Sequence, residues 1–270
     1  MRAYRKLASI ALQQTVAYRS GFFLGLMGPA FFLLAMLYLW QTLLSNHTAF
    51  GMSWEEMRAY VIITFICGNL VSMWTDFSIA NKVRDGSIAL DLAKPIDYQR
   101  ARLSETLGVA GFELANGVLV GAAIVSLFGG ARPHGWAAWV FFPISLLLVV
   151  PLKFCISYIT GLACFWTQNY FGVSMARQAI VNLLSGALAP LQLFPRWFQV
   201  GAALLPFQAI ASIPALIFVG KPPLWVFTDR TGWDVDLMAI ALQAIWVVVM
   251  IGVSRTIFAF AIRKLTVHGG

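Results

Sequence analysis

Long apolar runs separated by short charged stretches set the rhythm of this chain. A helix that crosses a bilayer needs about 20 mainly apolar residues. Six runs meet that length, at residues 21–44, 57–80, 103–128, 136–164, 174–194 and 235–259. The pattern predicts an all-α polytopic membrane protein with six transmembrane helices in one domain over residues 1–270. The fourth run contains Pro143 and Pro151, so a kinked or tilted helix is expected there, its freed carbonyls satisfied by neighbouring helices.

Two shorter segments read differently. In residues 1–20, Arg2, Lys6, Ser9 and Gln13 fall on one helical stripe and Leu7, Ala8, Ala11 and Leu12 on another, the pattern of an amphipathic interfacial helix. A cleavable signal peptide is disfavoured, because the apolar core that follows has the length of a full span. Residues 195–220 are apolar but interrupted at Pro206 and Pro214. Each half is about a dozen residues, roughly 18 Å of helix, and too short to cross. The expected form is a re-entrant helical hairpin dipping in from the outer face, with Pro195, Trp197, Pro206, Phe207 and Pro214 as its marker residues.

Composition agrees with the membrane reading: 60% of residues are hydrophobic, 11% are charged and the mean hydropathy is +0.77. The net charge of +8 could suggest nucleic acid, but nucleic-acid binders carry their basic residues on a solvated face. Topology explains the charge better. With the N-terminus inside, 13 of the 19 Lys and Arg fall on the cytoplasmic side: Arg2, Arg5, Lys6 and Arg19; Lys82, Arg84, Lys94, Arg100 and Arg102; Arg177; and Arg255, Arg263 and Lys264. Arg58, Arg132, Arg196, Lys221 and Arg230 fall outside, so the positive-inside rule puts both termini in the cytoplasm. A seventh span through 195–220 would carry Arg263 and Lys264 outside, against that rule.

This arrangement makes residues 81–102 a cytoplasmic loop, charged and lying between two long apolar runs. Gly86 and Ser87 signal a helix start, Ile88 to Lys94 suffice for about two turns, and Pro95 ends them. Ser87, Asp91 and Lys94 share one stripe, Ile88 and Leu92 another. Too short and too charged to anchor in a membrane, the segment either offers a small mixed surface to a cytoplasmic partner or serves as a solvated loop that fixes topology.

Within the apolar runs, Glu113 and Lys153 fall at similar depth. A charge there costs about 2.5–3.5 kcal/mol on insertion scales. The two are expected to pair and fix the third span to the fourth, with a substrate contact as the alternative. Asp76, near the inner end of the second run, reads as an interface residue. The pairs Gly21 and Gly25, and Gly117 and Gly121, permit close helix approach. Cys67, Cys155 and Cys164 sit apart inside apolar runs and read as small core residues, neither a disulfide framework nor a metal site.

No phosphate-binding loop, HExxH or GxSxG motif occurs, and His47, His134 and His268 are scattered. Leu184-Ser185-Gly186 is similar to the start of an ATPase signature but lies in an apolar run without the following Gly-Gln, and is read as coincidence. No catalytic residue, no metal and no cofactor are therefore assigned to this chain.

Arg84, Gly86, Ile88, Leu92, Lys94 and Pro95 resemble the R-x-G-x-L-D-x-x-L-x-[KR]-P cytoplasmic signature of bacterial ABC transporter permeases of the type-two exporter class. Gly186-Ala-Leu-Ala-Pro190-Leu191, Phe194-Pro195-Arg-Trp197, Leu205-Pro206-Phe207, Pro214 and Gly220 resemble the extracellular hairpin of the same family. The likeness runs over essentially the whole chain. It departs at Ala89, where an Asp is usual, with Asp91 two positions later. The resemblance implies a permease subunit of the bacterial inner membrane that dimerises with a second copy or a paralogous permease. It also implies a separate ATP-binding subunit, holding ATP and magnesium, that drives export. Ser87 to Lys94 would be the coupling helix, with Ile88 and Leu92 as apolar anchor, Asp91 and Lys94 as polar rim, and Arg84, Gly86 and Pro95 framing the loop. The alternative is an ion-coupled secondary transporter or channel acting without an ATPase. Such carriers usually show several intramembrane ionisable sites and internal repeats, and here Glu113 and Lys153 alone are candidates and no convincing repeat is visible.

Overall fold

The structure is a computed structural model that describes residues 2–17, 19–46, 51–71, 74–129, 132–167, 169–224 and 232–264. His47, His268 and Arg230 lie outside the described residues. In chain order the helices are α1 (Arg2–Ala17), α2 (Arg19–Asn46), α3 (Trp54–Asn69), α4 (Trp74–Arg84), α5 (Ile88–Leu92), α6 (Tyr98–Phe128), α7 (Gly135–Leu162), α8 (Tyr170–Leu184), α9 (Arg196–Ala203), α10 (Ser212–Val219) and α11 (Trp233–Ile262). Among the described residues there is no strand.

Among the described residues, four helical stretches are long and apolar enough to cross a membrane: Met27–Leu44, Tyr98–Phe128, Gly135–Phe165 and Trp233–Ile262. They correspond to the first, third, fourth and sixth expected spans. The second and fifth differ. In place of one helix over 57–80, α3 starts from a capping box between Ser53 and Glu56 and ends after 16 residues. Leu70 is extended and Val71 takes φ 53, in the left-handed region that a β-branched residue rarely enters. The 11 residues of α4 follow. The fifth run ends early as well: α8 has 15 residues, about 22 Å against a hydrocarbon core of about 30 Å. Gly186, at φ 77, turns the chain away, and its carbonyl accepts a hydrogen bond from Tyr60 Oη at 2.8 Å. The Ser185 carbonyl accepts from Ser212 N at 3.0 Å, so the segment after α8 is fastened to α3 and α10.

The centre of the bundle is α7, which packs against α11, α4 and α10. Its buried side chains Val149, Leu152 and Ile156 join Tyr60, Ile63 and Cys67 from α3, Ile213 and Leu216 from α10, and Ala239 and Val247 from α11. All three cysteines are buried and free. The 195–220 segment, expected as a hairpin, consists of α9, a 3-10 turn at Pro206–Ala209 and α10, which closes at left-handed Gly220. Pro214 falls in the first turn of α10, where its missing N–H has no intrahelical partner to lose.

Small residues set the closest crossings. Gly117 and Gly121 face Ile66 and Ile62 of α3, and Gly161 of α7 lies where a Cβ would come within 2.7 Å of the Ile79 Cβ on α4. Gly21 and Gly25, by contrast, have nothing within 4 Å of a Cβ position. The amphipathic α1 packs along α6: Tyr4 Oη accepts from Asp97 N at 3.2 Å, and a Cβ on Gly108 would meet the Ala8 carbonyl oxygen at 2.2 Å. No α1 residue is fully buried, and Ile10, Leu12 and Val16 remain exposed on it. Because Ala8 presents backbone at the crossing, Gly108→Ala is expected to push α1 off α6 and to cost about 1–3 kcal/mol by overpacking. Limited proteolysis checks this: α1 should become cleavable at protease levels that leave it intact in the parent protein.

Candidate functional site

The charged loop between α4 and α6 is folded onto the bundle. Gly86 takes φ 76, and the Asp85 carboxylate accepts from Ser87 N at 2.9 Å, which turns the chain into α5. Ile88 is fully buried against Ile79, Tyr98, Phe154, Cys155, Tyr158 and Leu162, and Leu92 packs on the same cluster. Asp91, 8% exposed, is the hub of the polar contacts. Lys82 Nζ and Lys94 Nζ each reach its carboxylate at 2.6 Å, and Arg102 stands 3.6 Å away. Arg102 in turn pairs with Glu105 at 2.8 Å and lies over the Tyr98 ring, 5.4 Å from its centroid. Burial pushes the Asp91 carboxyl up, but hydrogen bonds from Lys82 and Lys94, with the charges of Lys82 and Arg102, outweigh it and hold the group below the usual carboxylate range.

This geometry corrects the expected division of α5. Ile88 and Leu92, expected as an outward anchor, point into the bundle, and Asp91 binds α4 and α6 instead of forming a rim. The outward apolar side chain is Leu90, 71% exposed, with Arg84, Gly86, Ala93, Lys94 and Pro95 exposed around it and Ser87 half-buried. The spacing carries a signal for this: positions 88, 91 and 92 are related as i, i+3 and i+4 and share one face, which leaves Leu90 on the other.

Deeper in the bundle, Glu113 and Lys153 meet at the break between α3 and α4. Lys153 Nζ donates to the carbonyls of Cys67 at 3.0 Å and Gly68 at 2.7 Å, and Glu113 Oε2 accepts from Val71 N at 2.8 Å. The two charges are near enough to act on one another, and each also holds backbone at the break. The cause is the break itself. The end of a helix leaves carbonyls without partners, and an ammonium matches both their hydrogen-bonding need and the negative end of the dipole. A carboxylate suits the N–H just beyond it.

Asp76, read as an interface residue, is fully buried and joins α4 to α8. Arg177 reaches its carboxylate at 3.1 Å and Ser174 Oγ donates to it at 3.3 Å. From the sequence Arg177 counts only toward topology, although a lone Arg at the fourth position of the 174–194 apolar run already asks for a partner. Arg58, counted outside, is buried, donates to the Phe128 carbonyl and lies over the Trp54 ring. Gln243 ties α11 to α7 and the 3-10 turn, accepting from Ser145 Oγ at 2.8 Å and donating to the Ala209 carbonyl at 2.7 Å.

In the hairpin, Pro206 is buried, Phe207 packs on the central core, and Trp197 is 75% exposed on α9. Gln199 holds α9 in place by donating to the carbonyls of Phe194 at 2.7 Å and Gln192 at 3.0 Å. A shallow cavity of about 420 Å³ opens beside it, lined by Arg196, Gln199, Val200, Ala203 and Leu224. Among the described residues no three His, Cys, Asp or Glu side chains converge as metal ligands would.

Comparison with known proteins gives no match among curated proteins. Among protein families, the model for ABC-2 family transporter protein matches residues 30–269, which takes in every helix from the body of α2 to the end of α11. A multi-pass helical membrane protein whose length is matched in this way belongs to the ABC-2 family of transporter proteins, the membrane permease subunits of ABC transporters.

Proposed function

We propose that this chain is the transmembrane half of an ATP-driven exporter in the bacterial inner membrane, paired with a second permease, identical or paralogous, and with two separate ATPase subunits. Both termini and the loop that carries α5 face the cytoplasm, in line with the distribution of Lys and Arg. The broken pair α3–α4 and the short α8 complete six crossings, and α9 with α10 enters from the outer side. ATP and magnesium are held by the partner, and this chain contributes the pathway and the surface that receives the partner's motion.

The observation that carries this reading is the way α5 is mounted. A loop that only fixed topology would have no need to bury Ile88 and to hold one carboxylate with Lys82, Lys94 and Arg102. A surface that must transmit force does need rigid attachment to the helices on either side. The buried charges also favour this reading over an ion-coupled carrier, because Lys153, Glu113 and Asp76 are engaged with backbone, Ser174 and Arg177.

Leu90→Asp tests it. A buried apolar anchor at the centre of a small interface contributes about 2 kcal/mol or more, so co-purification of the ATPase should weaken by at least about tenfold. Expression and thermal stability should stay unchanged, because the Leu90 side chain is 71% exposed. Ile88→Asp should instead lower expression. Undiminished ATPase binding in Leu90→Asp would overturn the assignment of α5 as the docking surface.

A further inference from the structure

The break between α3 and α4 lies on the line that joins the charged loop to the hairpin. At one end Lys82 of α4 holds Asp91 of α5, and at the other Tyr60 of α3 donates to the Gly186 carbonyl while α3 packs against α10. Displacement of α5 that travels through α4 passes Leu70 and Val71 to reach α3 and the hairpin, beside the separate route from Ile88 into α7. A loose hinge there would absorb it.

The surroundings of the break are those of a brace. Lys153 stands on α7, which packs closely on α4 at Gly161, yet its ammonium grips the last carbonyls of α3. Glu113 stands on α6, which packs on α3 at Gly117 and Gly121, yet its carboxylate holds the Val71 N–H, beyond the end of α3. Lys153 thus ties α4, through α7, to the end of α3, and Glu113 fixes the residue that follows the α3 C-cap, through α6, to α3 itself. Val71 points the same way, because a β-branched residue stays at φ 53 only where its environment over-determines the backbone.

We propose that Lys153 and Glu113 are positioning residues that turn the break in the second span into a rigid elbow, so that movement of α4 and α5 is delivered through α3 to the hairpin. The proposal rests on the reading of α5 as the surface that an ATPase moves. Coupling through such an element is expected to change by about tenfold when one brace is lost.

The test is hydrogen–deuterium exchange on the complete permease–ATPase complex in lipid nanodiscs, nucleotide-free and trapped with ATP and vanadate. In the parent complex both the 84–97 loop and the 186–214 hairpin should change exchange on trapping. Lys153→Met and Glu113→Leu should keep the loop response and reduce the hairpin response by about tenfold. Lys153→Arg, which still donates to carbonyls, and Glu113→Gln, which still accepts from Val71, should restore it. Exchange across α7 and α11 equal to the parent shows that a variant is folded, and the two brace variants act on different helices, so the test does not depend on one of them. A parent complex without any nucleotide response in the loop removes the docking reading and this inference with it. A loop response with no hairpin response in the parent, or an undiminished hairpin response in the brace variants, overturns the elbow alone.

Discussion

Replacing Arg177 with Met should be among the most damaging single substitutions in this protein, with a loss of about 3–5 kcal/mol. Its partner Asp76 is fully buried, so removing the guanidinium strands a carboxylate that keeps a hydrogen bond from Ser174 but loses its countercharge. The consequence falls on α8, which buries only Tyr170, Ser174 and Val181 and so has little other hold on the bundle. The double variant Asp76→Leu with Arg177→Met should recover much of the loss, because a buried ion pair replaced by apolar side chains of similar size is often nearly neutral. Thermal midpoints in detergent for the parent, both single variants and the double variant complete the cycle. Simple addition of the two single losses would show that the pair contributes nothing to holding α8.

The long spans were readable because their signal is length and hydropathy, and α6, α7 and α11 sit where the apolar runs predict. The break in the second run was not readable, since no proline marks it and Gly68 and Asn69 alone are weak stops. Lys153 and Glu113 read from the sequence as needing partners at equal depth. That backbone is among those partners follows only once α3 is known to end there, because a continuous helix has no carbonyl to offer. The early end of α8 was within reach: Gly186 and Pro190 are both turn residues, but the apolar letters around them extended the run to Phe194. The inward face of α5 was also within reach, since Asp91 shares it with Ile88 and Leu92. A charged residue in a charged loop was assumed to face water, and three cations converging from α4, α6 and the loop itself reverse that. The packing of α1 on α6 depends on the absent side chain of Gly108, which periodicity cannot weigh.

Asp91→Leu is expected to release α5 from its mounting. Truncating one member of a buried, hydrogen-bonded charge pair costs about 2–5 kcal/mol, and the lower half of that range applies here because Lys82 and Lys94 remain 30% and 57% exposed and recover hydration. Arg102 keeps Glu105, so the start of α6 should hold while the loop loosens. On the proposed reading of α5 as the surface that an ATPase moves, the effect on function should exceed the effect on stability, because hydrolysis would continue while its motion is spent in a loosened loop. Acid offers an independent check. Since the folded-state carboxyl of Asp91 is held below its ordinary value of about 3.9, its contribution is fully present at neutral pH and is lost only as pH falls through that lowered value. The difference in thermal midpoint between the parent and Asp91→Leu should thus stay constant from about pH 5 to 8 and close in stronger acid. A difference that instead vanished near neutrality would mean that Asp91 is not the ionised centre of the loop, and that α5 is held by Ile88 and Leu92 alone.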